Sequence, residues 1–145
     1  LGPAELDRVL SALSGLPNVT FQRRTDNMND VYGRTKILLA PSKWQEAWGR
    51  VASEAHCSGI PVVGSNRGGL PEAIGPGGTI LDYEAPLDEW CAAVQQLWHD
   101  DADYQRAAAA ATAYSNRPLL DTEDQLTRFL AVMEAAAAQR TVSTP

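Results

Sequence analysis

The sequence predicts an α/β fold, a mostly parallel sheet with flanking helices. Three observations predict it. Short apolar runs alternate with helical stripes at a spacing that makes βαβ units. Ile37-Leu38-Leu39-Ala40 and Pro61-Val62-Val63-Gly64 are apolar without alternation, the pattern of parallel strands buried on both faces. The chain has 145 residues, 44% hydrophobic and 21% charged, which fits one domain with a core of useful size.

In chain order, residues 4–14 read as a helix, because Leu6, Val9, Leu10 and Leu13 share one face. Pro3 suits its first turn and Gly15 its C-terminal cap. Asn18-Val19-Thr20-Phe21 is short and β-branched, a strand by propensity. Residues 27–33 form a short helix with Met28, Val31 and Tyr32. The run 37–40 is a strand ended by Pro41-Ser42. Gly49 to Ser58 is a helix closed by Gly59, and 61–64 is the next strand. Residues 65–69 are a loop, 70–74 a helical turn, 75–78 a second loop and 79–81 a final strand. After Pro86, Leu87, Trp90, Cys91, Val94, Leu97 and Trp98 make a helical stripe expected to pack in the core. Residues 101–115 are a second, Ala-rich helix. Asp121-Thr122 opens a third, with Leu126, Phe129, Leu130 and Met133 on one face. The domain is assigned to 1–140 and a flexible tail to 141–145.

Lys and Arg total 12 against 18 Asp and Glu, a net charge of -6 and a pI near 4.8. That excludes the basic face of a nucleic-acid-binding module. No apolar run approaches the ~20 residues that span a bilayer, and the N-terminus shows no secretory signal. Cys57 and Cys91 lack metal-ligand spacing and read as small packed groups. The chain starts without Met, as an excised piece would. Its cations are mostly Arg and Ala is abundant, a weak hint of a bacterial source.

The chemistry points to residues 41–74. Ligands of parallel α/β sheets bind beyond the carboxyl ends of the strands, where the loop after Ala40 stands. The free N–H groups of Gly49, Arg50 and Val51 at a helix N-terminus attract phosphate. Glu54, about one and a half turns in, can accept two hydrogen bonds from a vicinal diol such as a ribose. Glu46 can hold hydroxyls on the other side of a diphosphate. From spacing alone, two helix-flanking carboxylates remain the favoured reading, because E-x7-E is short and degenerate.

The stretch Pro41-Ser42-x-x-x-Glu46-Ala47-Trp48-Gly49-Arg50-Val51-x-x-Glu54-Ala55-x-x-x-Gly59-Ile60-Pro61-Val62-Val63-Gly64-Ser65 closely resembles the donor-binding half of group 1 glycosyltransferases. These are retaining enzymes with two Rossmann-like domains, the GT-B fold. Arg67-Gly68-Gly69-Leu70-Pro71-Glu72 is similar to their next loop. Asn18–Phe21 resembles the strand before their base-contacting loop, and Gly2-Pro3 the turn after their second C-domain strand. The ordered series covers about residues 1–100, which makes it more specific than any one motif.

The resemblance implies roles position by position. Glu46 contacts the donor sugar and is the catalytic assignment. Glu54 contacts the ribose. The backbone amides of Trp48, Gly49 and Arg50 approach sugar and phosphate. Trp48 stands where the family usually has Phe. Gln22, Arg23 and Arg24 stand where the base is framed, without the Gly usual there. The family's Gly-Arg turn and Lys, which clamp the donor phosphates, have no match. The resemblance therefore implies the later part of a Rossmann-like donor domain, without the acceptor-binding N-terminal domain and inactive alone. It implies no cofactor and no metal, a nucleoside-diphosphate-sugar donor, and a glycan, lipid or small-molecule acceptor. The expected location is the cytoplasm, with the inner face of the membrane as an alternative. The competing reading is a non-catalytic α/β module that binds a nucleotide or a partner. Trp44 reads as a donor-pocket wall or a loop-packing residue, Arg67 as a phosphate contact or a solvated cation, and His56 as structural. Glu72 reads as a cap for the short helix's amides.

Overall fold

The computed structural model describes residues 2–22 and 24–142. Contacts divide the chain after Val31 into two units.

In the first unit, Pro3–Ser14 form helix α1, entered from an extended Gly2 and closed at Gly15. Pro at the first position costs nothing, because its missing N–H would have no partner within the helix. Residues 18–21 form no strand. The Val19 N–H donates to the Leu16 carbonyl at 3.2 Å, a turn bond. Val19 and Phe21 instead line a cavity of about 170 Å³ with Leu10 and Leu13. β-branched residues favour a strand only when a neighbouring strand supplies the ladder, and no described strand pairs with this segment.

Helix α2, Asn29–Tyr32, leads into the second unit, built on three parallel strands. These are β1, Leu38–Ala40, β2, Val62–Ser65, and β3, Gly78–Leu81. They lie in the order β1-β2-β3, with Leu38 opposite Val62 and Val62 opposite Gly78. Helix α3, Arg50–Cys57, joins β1 to β2. Helix α4, Leu70–Ile74, and a 3-10 turn over Gly75–Gly77 join β2 to β3. Every residue of β2 is buried, as its continuous apolar run requires. β1 departs from that expectation, since Leu39 is 52% exposed. Among the described residues β1 pairs only with β2, so its outer edge is open.

The core gathers Tyr32, Ala40, Ala52, Ala55, Ile60, Val62, Leu70, Ala73 and Ile74, with Leu38 and Trp48 packed against it. Alanines on α3 and α4 let both helices sit close to the sheet.

Three helices follow: α5, Leu87–His99, α6, Asp101–Ser115, and α7, Thr122–Val142. The Asp100 side chain caps α6 by accepting the Asp103 N–H at 2.9 Å. α6 packs on α3 and on the Gly75–Gly77 turn. The α5 stripe is less buried than its periodicity implies. Leu97 is buried, but Trp98 is 53% exposed and takes the Lys36 ammonium 5.1 Å from its ring centre. Leu87, Trp90, Cys91 and Val94 line an apolar groove of about 380 Å³ with Leu39, beside the open edge of β1. Cys57 and Cys91 are exposed thiols, not packed ones. The stripe on α7 is likewise exposed. α7 runs through Val142, into the stretch assigned as a tail, and residues 143–145 lie outside the described residues. Among the described residues no helix is long and apolar enough to cross a membrane.

His56, on the inner face of α3, is buried, and neither ring nitrogen has a hydrogen-bond partner among the described residues. Burial, and then the charge of Arg117, push its pKa below the ordinary 6.5. The Gly77 backbone lies close enough to oppose the shift, but not in hydrogen-bonding geometry. A depressed folded pKa means that the unfolded chain binds this proton first as pH falls. The neutral-histidine contribution to stability is therefore complete above about pH 6.5 and lost progressively below it. Melting temperatures taken from about pH 7.5 to about pH 5 should fall more steeply for the wild type than for His56→Leu. Equal slopes would remove His56 from this account.

Candidate functional site

The site forms at the carboxyl ends of the strands, where residues 41–49 carry the chain from β1 to α3. Glu46 lies exposed in this loop. The Ser42 hydroxyl donates to Glu46 Oε1 at 3.0 Å. The Ser42 carbonyl in turn accepts the Ser65 hydroxyl at 2.6 Å. Ser65 is fully buried and ends β2, so the loop is tied to the central strand.

A second tie comes from the next loop. The Gly69 N–H donates to the Glu46 carbonyl at 2.7 Å. Gly68 has φ +55°, and a β-carbon there would overlap the Glu46 carbonyl oxygen and stand 2.5 Å from its nitrogen. From the sequence alone Arg67-Gly68-Gly69 is a loop. The paired glycines were the available signal that another backbone passes close by.

Gly49 precedes α3 with φ 77°, and no side chain caps the helix. A β-carbon here would stand 2.8 Å from the Leu70 side chain. The N–H groups of Arg50 and Val51 fall in the first turn, which has no carbonyl four residues back to bond. Trp48 turns its indole N–H to the Ser53 hydroxyl at 3.0 Å and packs on the core. Trp44, by contrast, is 82% exposed and packs into no core.

Glu54 is held from two sides. The Tyr32 hydroxyl donates to Oε2 at 2.8 Å, and Arg50 approaches Oε1 at 3.3 Å. Burial, and then the bond to Glu54, push the Tyr32 pKa up to about 12. Tyr32 is not visible from sequence as a partner of Glu54, because no spacing rule links residues 22 apart.

At the ends of β2 and β3, Arg67 lies 3.4 Å from the centre of the Tyr83 ring. It is therefore stacked on an aromatic face, not a freely solvated cation. Asn66 donates to Asp82 at 2.8 Å and accepts the Tyr83 N–H at 3.1 Å. The Glu84 N–H, followed by Asn66, holds the Asp82 carboxyl below its usual range. Glu72 is exposed in the first turn of α4.

The structure thus brings Glu46, Trp48, Gly49, Arg50 and Glu54 onto one loop and helix start. Gln22 lies in the other unit, where Phe21, Gln22, Arg24, Thr25, Met28 and Val31 line a cavity of about 510 Å³. Arg23 lies outside the described residues.

The family model for glycosyl transferases, group 1, matches residues 3–114. The chain is 35% identical over 119 residues to D-inositol 3-phosphate glycosyltransferase of Corynebacterium kroppenstedtii, covering 79% of this chain and 26% of that protein. It is similar in fold to the Anabaena protein HepE in complex with UDP and glucose, with a TM-score of 0.76 at 20% identity, over 91% of this chain and 36% of that one. It is also similar to sucrose-phosphate synthase from Thermosynechococcus elongatus, with a TM-score of 0.74 at 25% identity, over 93% and 35%. The chain spans about a quarter of the length of the curated relatives it matches.

Gly68→Ala places a β-carbon at positive φ and against the Glu46 backbone. It should destabilise the protein by about 2–4 kcal/mol in urea unfolding. Gly15→Ala, at φ -80° with only Ala12 near its β-carbon, should be close to neutral. Similar losses at both positions would contradict the close packing of the two loops.

Proposed function

The chain belongs to the group 1 glycosyl transferases, and we propose that it is the donor-binding part of a retaining enzyme, holding a nucleoside-diphosphate sugar at the start of α3. The observation that carries this reading is the first turn of α3. It opens at Gly49 in a left-handed conformation, has no capping side chain and no acidic residue, and places Arg50 at the positive end of the helix dipole. A cation there is unfavourable by ~0.3–1 kcal/mol, and a bound diphosphate offsets this because it is attracted both to the helix end and to Arg50. Glu46 then faces the transferred hexose and Glu54 the ribose, on opposite sides of the phosphates. The UDP and glucose held by the Anabaena neighbour support a nucleotide-sugar donor.

In this reading the α3 amides and Arg50 stabilise the diphosphate as it leaves. The acceptor attacks from the face the diphosphate vacates, and a donor phosphate oxygen takes its proton. Glu46, tied through Ser42 to β2, orients the hexose. Transfer itself is assigned to the complete protein, not to this stretch alone.

The test is calorimetry with UDP, GDP and ADP on the complete protein. Glu54→Ala should weaken binding of the preferred nucleotide by ~1.5–3 kcal/mol, because the ribose loses a charged acceptor. Glu46→Ala should lower turnover while leaving nucleoside-diphosphate affinity nearly intact. Unchanged affinity in Glu54→Ala, or a binding loss with intact turnover in Glu46→Ala, would overturn these roles.

Helix amides and arginine supply the positive charge that a metal supplies elsewhere, so EDTA should leave activity intact. One Asp-x-Asp stretch does occur, Asp101-Ala102-Asp103, but in the first turn of α6, where Asp103 pairs with Arg106 and accepts from Gln96. Loss of activity on chelation, restored by Mn²⁺ or Mg²⁺, would contradict this.

A further inference from the structure

We propose that Tyr32 is a positioning residue for ribose recognition, its hydroxyl fixing one oxygen of the Glu54 carboxylate so that the other is presented to the sugar diol. This rests on the reading that Glu54 meets the ribose.

Three observations support it. The Tyr32 ring is buried in the core that also holds Ala52 and Ala55 of α3, so its hydroxyl is an anchored donor. That hydroxyl reaches Glu54 Oε2 at 2.8 Å. The other oxygen, Oε1, meets Arg50, whose side chain is 86% exposed, at a looser 3.3 Å. One side of the carboxylate is therefore held by a packed residue and the other by a solvent-exposed one.

The asymmetry matters because the Glu54 side chain is 41% exposed. Unanchored, a glutamate at that exposure samples several rotamers, and a diol would have to select one of them. With Oε2 fixed, the ribose displaces Arg50 from Oε1. Arg50 sits at the first position of α3 and is released toward the phosphates by the same event. The Tyr32 hydroxyl keeps its proton through the neutral range, since its pKa is pushed up to about 12. It therefore remains a donor whether or not the site is filled.

The test uses Tyr32→Phe, which keeps the ring and removes the hydroxyl, in the complete protein. The probes are the tightest-binding of UDP, GDP and ADP and its 2′,3′-dideoxy counterpart. Tyr32→Phe should weaken the ribonucleotide about tenfold and leave the dideoxy nucleotide within about twofold, so that the wild-type preference collapses. An equal loss on both probes marks a merely structural residue and overturns the proposal, as does no loss on either. Glu54→Ala should also collapse the preference. If it does not, the ribose reading and this proposal fall together. If it does while Tyr32→Phe keeps the preference, this proposal alone falls. A measurement on the wild type covers a variant that fails to fold. The carbon-13 resonance of Tyr32 Cζ should shift on adding the ribonucleotide and stay in place with the dideoxy form, and equal shifts overturn the proposal. Absence of binding by all three nucleotides overturns it together with the reading beneath it.

Discussion

The left-handed turn at Gly49 decides where every proposed ligand group stands. With φ at 77°, the chain leaves the β1 loop and enters α3 within one residue, and Leu70 of α4 closes over the space a side chain would take. Glycine is the residue that adopts this conformation without strain. The turn sends Trp48 into the core, leaves the first amides of α3 uncapped, and puts Arg50 and Glu54 on one exposed face of the helix. The fully buried β2 gives the arrangement its base, because α3 and α4 both pack against it.

The two carboxylates are held by unlike means. Glu46 sits in a loop, with its backbone carbonyl bound by the Gly69 N–H and its Oε1 bound by the Ser42 hydroxyl, whose carbonyl is in turn tied to β2. Glu54 sits on a helix and is fixed through side chains, by Tyr32 and Arg50. A loop carboxylate tied at its backbone and held at one oxygen by a single hydroxyl stays exposed to solvent, which suits orienting a sugar during transfer. A helical carboxylate gripped at its head is preset for one recurring partner, which suits a ribose. This division of labour follows from which elements the sheet topology brings near each residue.

The parallel sheet, the helices α3 to α6 and the loop carrying Glu46 were legible in the sequence, because each depends on local pattern. The apolar run at 61–64 is a buried central strand, as its composition implied. The similar run at 37–40 is an edge with Leu39 exposed, because a strand's burial is set by its neighbours and not by its own residues. Asn18–Phe21 failed as a strand for the same reason. Trp98 and the α7 stripe show that periodicity marks a face without naming what covers it. In the candidate site, the placing of Glu46, Gly49 and Glu54 on one loop and helix start was readable from their spacing. Tyr32, Ser65 and the contact of Gly68 with Glu46 were not, since each joins residues about twenty apart through the fold.

The central claim, that the start of α3 receives a diphosphate, is tested most directly by amide NMR on the complete protein. A titration of the preferred nucleoside diphosphate would be read against the matching nucleoside without phosphate. The account predicts that the Gly49, Arg50 and Val51 amides shift strongly with the diphosphate and little with the nucleoside. Saturating nucleotide binding that leaves those amides unmoved would place the phosphates elsewhere and contradict the account.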